Sequence, residues 1–449
     1  MGVVAADRPR AIGQRNRRIV VVVVVVSAIV ASVAGLTEGR DTAGVRPVLA
    51  ADQDGTTDRD LRRVADAVLD AAVDLHRQVG PANTNLVLSP DSVATALAMT
   101  YAGARGSTAL QIAKVMHLTL PPAALSAVMA ALSGRLTAAN DGRDLGGGIR
   151  AALVTVANSV WGDADSVFRA DFVELLAQRY GAAFGSLAFR GDPETARRTI
   201  NTWIAERTLG LGGEMVGPDL VDADTRLVLV SAASMKAGWA APFPLGATSD
   251  APFHPASGPP IPVPTMVRTQ EAGYAEGRDY QAVELPYAST SPRPISMIAI
   301  RPRRTSLSDF EKGLDGGRAR RILDAVDAGE PADVHVRLPR FKIQTSAALG
   351  PVLRSLGMRA AFDPYRADLS GMSNDERLFV GGIMHKADIS VDENGTVATA
   401  ATAVAVQSVV GRPALRSVTV SFDVPFLFLV VDRLSGMPLF IGRVADPRG

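Results

Sequence analysis

The chain has 449 residues, of which 47% are hydrophobic and 21% are charged, a composition typical of globular proteins. Its formal net charge of +1 gives no sign of the strong basic excess typical of nucleic-acid-binding proteins, and we predict no nucleic-acid partner. The absence of cysteine excludes a disulfide framework and a thiol nucleophile. The length fits two or three domains, or one large body of mixed helices and strands.

The N-terminal residues 1–36 have the pattern of a targeting segment, because a basic stretch that ends at Arg18 precedes the apolar Ile19–Leu36. Small residues at Ser32 and Ala34 suit cleavage of a signal peptide. The apolar stretch, if helical, would span about 27 Å and could instead remain as a membrane anchor. We therefore predict an exported protein, either secreted or anchored to the outer face of the cell membrane, and membrane contact only through this segment.

Residues 37–57 are polar and rich in Gly and Asp, which predicts a linker, and the folded domain is expected to span 58–449. Apolar periodicity predicts helices at 58–79, from a cap at Ser89 or Asp91 to Gly103, from Thr108 onward, and at 124–136, 168–180, 193–207 and 347–356. Apolar runs predict strands at 85–88, 153–162, 226–239, around Val263, and at 281–285, 296–301, 334–341, 383–391, 417–420 and 426–431. Helices come mostly first and strands mostly last, which is the order of an α+β fold.

The sequence shows none of three common motifs of catalytic sites. It contains no Gly-x-Ser-x-Gly turn, no HExxH motif and no glycine-rich nucleotide-binding pattern. The five histidines are scattered along the chain, which argues against a zinc site. We predict that the protein is not an enzyme and uses no metal and no cofactor.

A segment near the C-terminus is unusually long for a stretch without charge. Glu393 is followed by a run from Gly395 to Gly411 that carries no charge and consists mainly of Ala, Val and Thr. An ordinary strand rarely reaches this length. Small uncharged residues tolerate water as well as the interior of a sheet, where an unpaired charge would be strongly unfavourable.

Several motifs, in the family's order and spacing, give the chain a clear resemblance to the serpins. These motifs are NLVLSPDSVATALAMTYAGARGSTALQI (85–112), INTWIAERTLG (200–210), MKAGWAAPF (235–243), VELPY (283–287), LPRFKI (338–343), FDPYRADLSGM (362–372), HKADISVDENGT (385–396) and PFLFLVVDRLSGMPLFIGRVADP (425–447). The resemblance covers nearly all of 58–447. It implies an α+β serpin fold, with helices, three β-sheets and an exposed reactive-centre loop.

The resemblance implies a protease inhibitor that its target attacks as a substrate. In this family the protease cleaves the reactive loop and forms an acyl-enzyme, and the cleaved loop then inserts into the central sheet. Insertion of the loop moves the attached protease to the far end of the inhibitor and distorts the active site of the protease, which therefore cannot hydrolyse the acyl-enzyme. The implied hinge residues are Glu393, Gly395, Thr396, Ala398, Ala400 and Thr402, of which the last four face inward after insertion. The alternative is a non-inhibitory serpin that acts as a binding or carrier protein at the cell surface.

The resemblance also implies where the central sheet opens. Ser89, Ser92, Ser231 and His385 correspond to the shutter beneath the sheet, and Trp239 corresponds to the breach where insertion starts. The family usually has Asn at the position of Ser231. A hydroxyl offers fewer hydrogen bonds than an amide, so we expect the shutter bonding to differ in this chain.

The position of the scissile bond stays open, because the loop is longer than is usual in the family. Counting forward from Glu393 places the bond at Val409–Val410, which suits an elastase-like protease. Counting back from the next strand places the bond further on, and Arg412 and Arg416–Ser417 are the alternatives for a trypsin-like protease. Pro413 disfavours cleavage after Arg412. The expected partner is a serine protease, elastase-like before trypsin-like, with a cysteine protease as a further candidate, and the inhibitor is expected to be a monomer.

Overall fold

The computed structural model describes residues 55–146, 149–207, 214–374, 377–396 and 415–449, together with the backbone of 19–29. The helices of these residues are α1 (Asp58–Gln78), α2 (Pro90–Gly103), α3 (Gly106–Val115), α4 (Pro122–Ala139), α5 (Ala170–Tyr180), α6 (Pro193–Arg207), α7 (Leu307–Lys312), α8 (Gly316–Ala328) and α9 (Gly350–Leu356). Short 3₁₀ turns cover Leu245–Ala247 and Ala360–Phe362. Within the described ranges, no helix has both the length and the apolar character needed to cross a bilayer.

The strands of the described chain form three large sheets and one small ribbon. They are β1 (Ile19–Ile29), β2 (Leu86–Leu88), β3 (Asp144–Gly146), β4 (Ile149–Arg150), β5 (Leu153–Asp163), β6 (Ala183–Leu187), β7 (Thr225–Gly238), β8 (Ser249–Phe253), β9 (Ile261–Ala272), β10 (Tyr274–Glu276), β11 (Tyr280–Pro286), β12 (Ile295–Pro302), β13 (Ala332–Pro339), β14 (Phe341–Ala348), β15 (Leu378–Val391), β16 (Gly395–Thr396), β17 (Ser417–Ser421), β18 (Phe426–Asp432) and β19 (Pro438–Val444). The central sheet has the order β14-β15-β1-β7-β5-β6, and β16 also pairs with β7. The second sheet has the order β10-β11-β12-β18-β19-β2, the third has the order β17-β13-β9-β8, and β3 pairs with β4.

Local sequence signals set the ends of the first two helices. Thr57 caps α1 through a capping box, in which its hydroxyl accepts from the amide of Asp60 and the carboxylate of Asp60 accepts from the amide of Thr57. Ser89 caps α2, and Pro90 occupies its first turn, where a missing amide hydrogen costs nothing. Helix α2 packs against the central sheet, where it contacts β7.

Strand β7 is buried on both faces, which explains why its sequence is an almost continuous apolar run. Leu227 and Leu229 belong to the main core, which α1, α2 and the second sheet share with the central sheet. Val228 and Val230 point the other way, into a smaller cluster that includes Ile200 of α6. Alternate residues of a strand face opposite sides. Residues of β7 with odd numbers therefore face the main core.

The predicted strand 334–341 is wrong as one element, because the chain changes sheets at Arg340. Strand β13 pairs with β9 in the third sheet, whereas β14 pairs with β15 in the central sheet. The predicted helix 347–356 begins only at Gly350, since Ala347 and Ala348 still belong to β14. Helix α8 and strand β19 were not predicted. Pairing partners far away in the sequence decide where these strands begin and end.

The apolar segment Ile19–Ile29 is a strand in this structure and not a helix. It runs parallel to both of its neighbours, β15 and β7, near the middle of the central sheet. Its sequence, IVVVVVVVSAI, consists mainly of β-branched residues, whose stiff side chains favour strands. The export of the protein and the fate of its leader remain predictions.

Candidate functional site

The predicted hinge turns into the central sheet through a tight backbone loop. Gly395 and Thr396 form β16, which pairs antiparallel with Gly238 and Ala237 of β7. The amide of Asp392 donates to the carbonyl of Gly395 over 3.0 Å and closes the turn. Gly395 has a φ of +133°, and a Cβ here would lie 2.5 Å from the carbonyl oxygen of Ala237. Only glycine satisfies both conditions.

The buried carboxylate of Glu393 anchors the start of the predicted hinge through an ion pair with the partly exposed Arg340. Its side chain is only 3% exposed, and it accepts hydrogen bonds of 2.8 and 2.9 Å from Nε of Arg340. The hydroxyl of Thr248 donates to the same carboxylate over 2.6 Å, and the amide of Phe243 donates to the Glu393 carbonyl. Burial by itself would raise the pKa of Glu393, but the hydrogen bonds from Arg340 and Thr248 outweigh it and lower the pKa.

Trp239, the predicted breach residue, lies beside the hinge turn. Its indole N–H donates to the carbonyl of Asp392 over 3.0 Å, and its backbone amide donates to the carbonyl of Asn394 over 3.0 Å. The indole stacks on Tyr287 with ring centroids 4.6 Å apart and planes 8° from parallel. The hinge is thus tied to the end of β7 by backbone and side chain together.

Three of the predicted shutter residues meet beneath the central sheet. The amide of Ser89 donates to Nε2 of His385 over 3.2 Å, and the hydroxyl of Ser89 donates to that of Ser92 over 3.2 Å. The first bond makes Nε2 an acceptor, so the ring is neutral. Burial lowers the pKa of His385 to about 3, because the charged form would lose its water.

The fourth shutter residue, Ser231, does not meet His385. The register aligns Asn158, Ser231, Val25 and His385 in one row across β5, β7, β1 and β15. Ser231 Oγ, His385 Nδ1 and Asn158 Oδ1 are buried and have no hydrogen-bond partner among the described residues. Such orphaned groups each cost about 1–3 kcal/mol. Sequence reasoning missed Asn158, although a lone amide in the middle of the apolar run LVTVANSVWG is a usable signal.

Much of the predicted reactive loop lies outside the described residues. These predicted positions are Ala398, Ala400, Thr402, Val409, Val410 and Arg412. The chain re-enters the described part just before Arg416, whose guanidinium pairs with Glu276 over 2.7 Å. The carbonyl of Arg416 accepts from the amide of Asp333 over 3.0 Å, and Ser417 begins β17. The bond between Arg416 and Ser417 is therefore held at the edge of the third sheet.

Comparison with known proteins identifies the family. A model of the family described as serpin (serine protease inhibitor) matches residues 66–447. The leukocyte elastase inhibitor of Equus caballus is 33% identical over 385 residues, which cover 84% of this chain and 97% of that protein.

Two solved structures share the fold. The native-state structure of the thermophilic serpin tengpin is 25% identical with a TM-score of 0.72, covering 85% of this chain and 94% of tengpin. Human thyroxine-binding globulin is 21% identical with a TM-score of 0.73, covering 87% of this chain and all of that chain (100%), and it supports the fold alone. The α+β serpin fold predicted from the motifs is confirmed, and the chain belongs to the serpin family.

Proposed function

We propose that the protein inhibits a protease by trapping it, with the reactive loop cleaved and inserted as a new strand of the central sheet. The observation that carries this proposal is the pairing of β16 with the end of β7. The hinge has already entered the sheet there by two residues, in the antiparallel direction that an inserting loop needs. The uncharged run that follows continues from this starting point.

Continuing the register of β16 gives each inserting residue a partner. The hinge residues Thr396, Ala398, Ala400 and Thr402 fall opposite Ala237, Met235, Ala233 and Ser231. Those residues of β7 are all buried, and Met235 and Ala237 belong to the main core. Directly opposed residues of two strands point to the same face. The register therefore supports an inward-facing set of small, uncharged hinge residues.

We propose an elastase-like serine protease as the target, cleaving at Val409–Val410. The name of the horse relative, leukocyte elastase inhibitor, supports this class of target. A small apolar residue before the bond suits such a protease. The geometry of Arg416 argues against Arg416–Ser417, because its side chain is paired with Glu276 and its carbonyl is hydrogen-bonded in the sheet. The residues on both sides of a scissile bond have to be free to enter the active site of the protease.

A carrier function has weaker support. One cavity, of about 290 Å³, lies between α1, α8 and the turn from β18 to β19. Its lining is dominated by charged side chains, among them Arg62, Asp66, Arg320, Asp327 and Arg433. Sites for small organic ligands are mostly apolar.

We propose that the protein acts outside the cell, in keeping with the basic and apolar pattern of residues 1–36.

The test of this function is incubation with elastase-like, trypsin-like and cysteine proteases, using both the full chain and the chain without residues 1–57. We expect the chain without residues 1–57 to form an SDS-stable complex with an elastase-like protease, and mass mapping of the released peptide should place the cut at Val409–Val410. Complete cleavage of the loop without any complex, by every protease in the panel, would favour the carrier alternative.

A further inference from the structure

Strand β1 occupies a specific position in the central sheet. We use "central slot" for the space between β7 and β15. From Ile19 to Ile29 the segment pairs along its whole length with β15, and from Val20 to Ile29 it pairs with β7. The helix α2 contacts it from behind. Apart from β16 at one end, β1 is the occupant of the central slot among the described residues.

The segment and the reactive loop compete for the same backbone partners. Ile29 pairs with Met235 of β7 and with Ile389 of β15. Strand β16 ends at Thr396 opposite Ala237, so the next inward residue of the loop, Ala398, would fall opposite Met235. The two strands run toward each other from opposite ends of the slot. Each ladder position admits one strand on each side, so the loop cannot pair with β7 beyond Val397 while β1 is present.

The unpaired polar groups of Ser231 and His385 indicate that β7 and β15 can also pair directly with each other, which closes the central slot. Ser231 and His385 both take Val25 as their register partner. If β1 left and β7 met β15 directly in the same register, these two residues would become neighbours. The unpartnered Ser231 Oγ and His385 Nδ1 are a donor–acceptor pair that β1 separates. A strand that stayed between β7 and β15 would keep the Ser231 hydroxyl and the His385 ring nitrogen apart and without hydrogen bonds.

We propose that Ile19–Ile29 is an intramolecular plug of the central slot, so that the chain that keeps this segment cannot trap a protease, and release of the segment makes it an inhibitor. Cleavage near Ser32 or Ala34, as the sequence predicts for a signal peptide, would remove the plug. The position of the plug is independent of the proposed function. Its effect on trapping rests on that function, and the experiments separate the two.

The first experiment tests the position of the plug by cross-linking. The chain has no cysteine, so an introduced pair reports on itself alone. Val25→Cys with Ser231→Cys joins register partners, whose Cα atoms lie about 5 Å apart, within disulfide range. The matched control, Val25→Cys with Leu227→Cys, is off register by about 13 Å along the strand. We expect rapid oxidation of the first pair in the full chain and little of the second. Equal cross-linking of the two pairs would overturn the proposal.

The second experiment tests closure of the slot. Ser231→Cys with His385→Cys lies two strand spacings apart, about 9.6 Å, when β1 is in place, which is beyond disulfide range. We expect this pair to stay reduced in the full chain and to oxidise when Val25→Pro is added, because proline in an inner strand removes a ladder hydrogen bond. Oxidation at the same rate in both chains would contradict the plug.

The third experiment measures trapping with the full chain. Val25→Pro disrupts β1, and Ala43→Pro, in the predicted linker, is the matched control. We expect Val25→Pro to raise the ratio of covalent complex to cleaved inhibitor by about tenfold or more, and Ala43→Pro to behave as the wild type. Full trapping by the Val25→Cys, Ser231→Cys chain with its cross-link formed would show that a strand held in the central slot does not block insertion. If no variant traps although both cross-link patterns are as expected, the plug stands and the proposed inhibitory function fails.

Discussion

At the scale of single residues, burial decides the chemistry of the shutter. His385 is completely buried, and its one described hydrogen bond is received at Nε2 from the amide of Ser89. An imidazole in this setting has to stay neutral. The family motif allowed us to predict His385 as a shutter residue from the sequence, but its protonation state follows from the packing around it.

The lowered pKa of His385 predicts a loss of stability in acid. Its pKa is about 3 in the folded protein and about 6.5 when unfolded, so between these values only the unfolded chain binds the proton. The contribution is complete above pH 6.5 and falls by about 1.4 kcal/mol per unit as the pH drops below that. Denaturant unfolding at pH 7, 6 and 5 should show a shallower dependence in His385→Gln. Identical slopes in the two proteins would show that His385 is not buried in its neutral form.

The hinge anchor predicts an asymmetry between two substitutions. Glu393 is 3% exposed whereas Arg340 is 44% exposed. Arg340→Ala leaves a buried carboxylate without its cation and should cost about 3–5 kcal/mol of unfolding free energy. Glu393→Ala leaves an arginine that water can reach and should cost about 1–2 kcal/mol. Urea unfolding of both variants checks the order, and the reverse order would mean that Glu393 is solvated.

At the scale of elements, strand register determines which face of a strand meets the core and where some strands end, which composition alone does not. The pairing of Thr396 with Ala237, continued along the same register, predicts which hinge residues would face the main core after insertion. The start of helix α6 was predicted correctly, because local periodicity and Pro193 determine it. The division of 332–348 at Arg340 was not predicted, since the two halves are decided by β9 and β15, which lie far away in the sequence.

The facing of the hinge predicts different effects for the same charge at adjacent positions. Thr396→Glu places a carboxylate toward the main core, opposite Ala237, so insertion should slow and the protease should escape. Val397→Glu would fall opposite Lys236 by the same register and should be tolerated. In the Val25→Pro chain, we expect the ratio of complex to cleaved inhibitor to fall by about tenfold or more for Thr396→Glu only. Equal losses would show that charge matters and facing does not.

At the scale of the whole molecule, we expect the strand that occupies the central slot to affect the melting temperature. A loop that inserts after cleavage adds a paired and buried strand to the sheet. In the Val25→Pro chain, cleavage within 397–414 should raise the melting temperature by about 10 °C or more. In the wild-type full chain, where β1 pairs with β7 and β15, the rise should be much smaller. Thermal melting of intact and nicked samples of both chains decides this, and an equal rise in the two would mean that the slot is open in the wild type.

The sequence by itself determined the family, the order of helices before strands, and the uncharged hinge after Glu393, because motifs, periodicity and the absence of charge are local properties of the chain. It also led to the prediction that Ser89, Ser92, Ser231 and His385 are shutter residues and that Trp239 is the breach residue. Only the tertiary structure decided that Asn158 and Val25 join Ser231 and His385 in one row, and that Ile19–Ile29 lies in the central slot. A valine-rich segment suits a membrane, a leader or a sheet equally well. Its place depends on which distant backbone offers unpaired hydrogen bonds, and here β7 and β15 provide them on both sides.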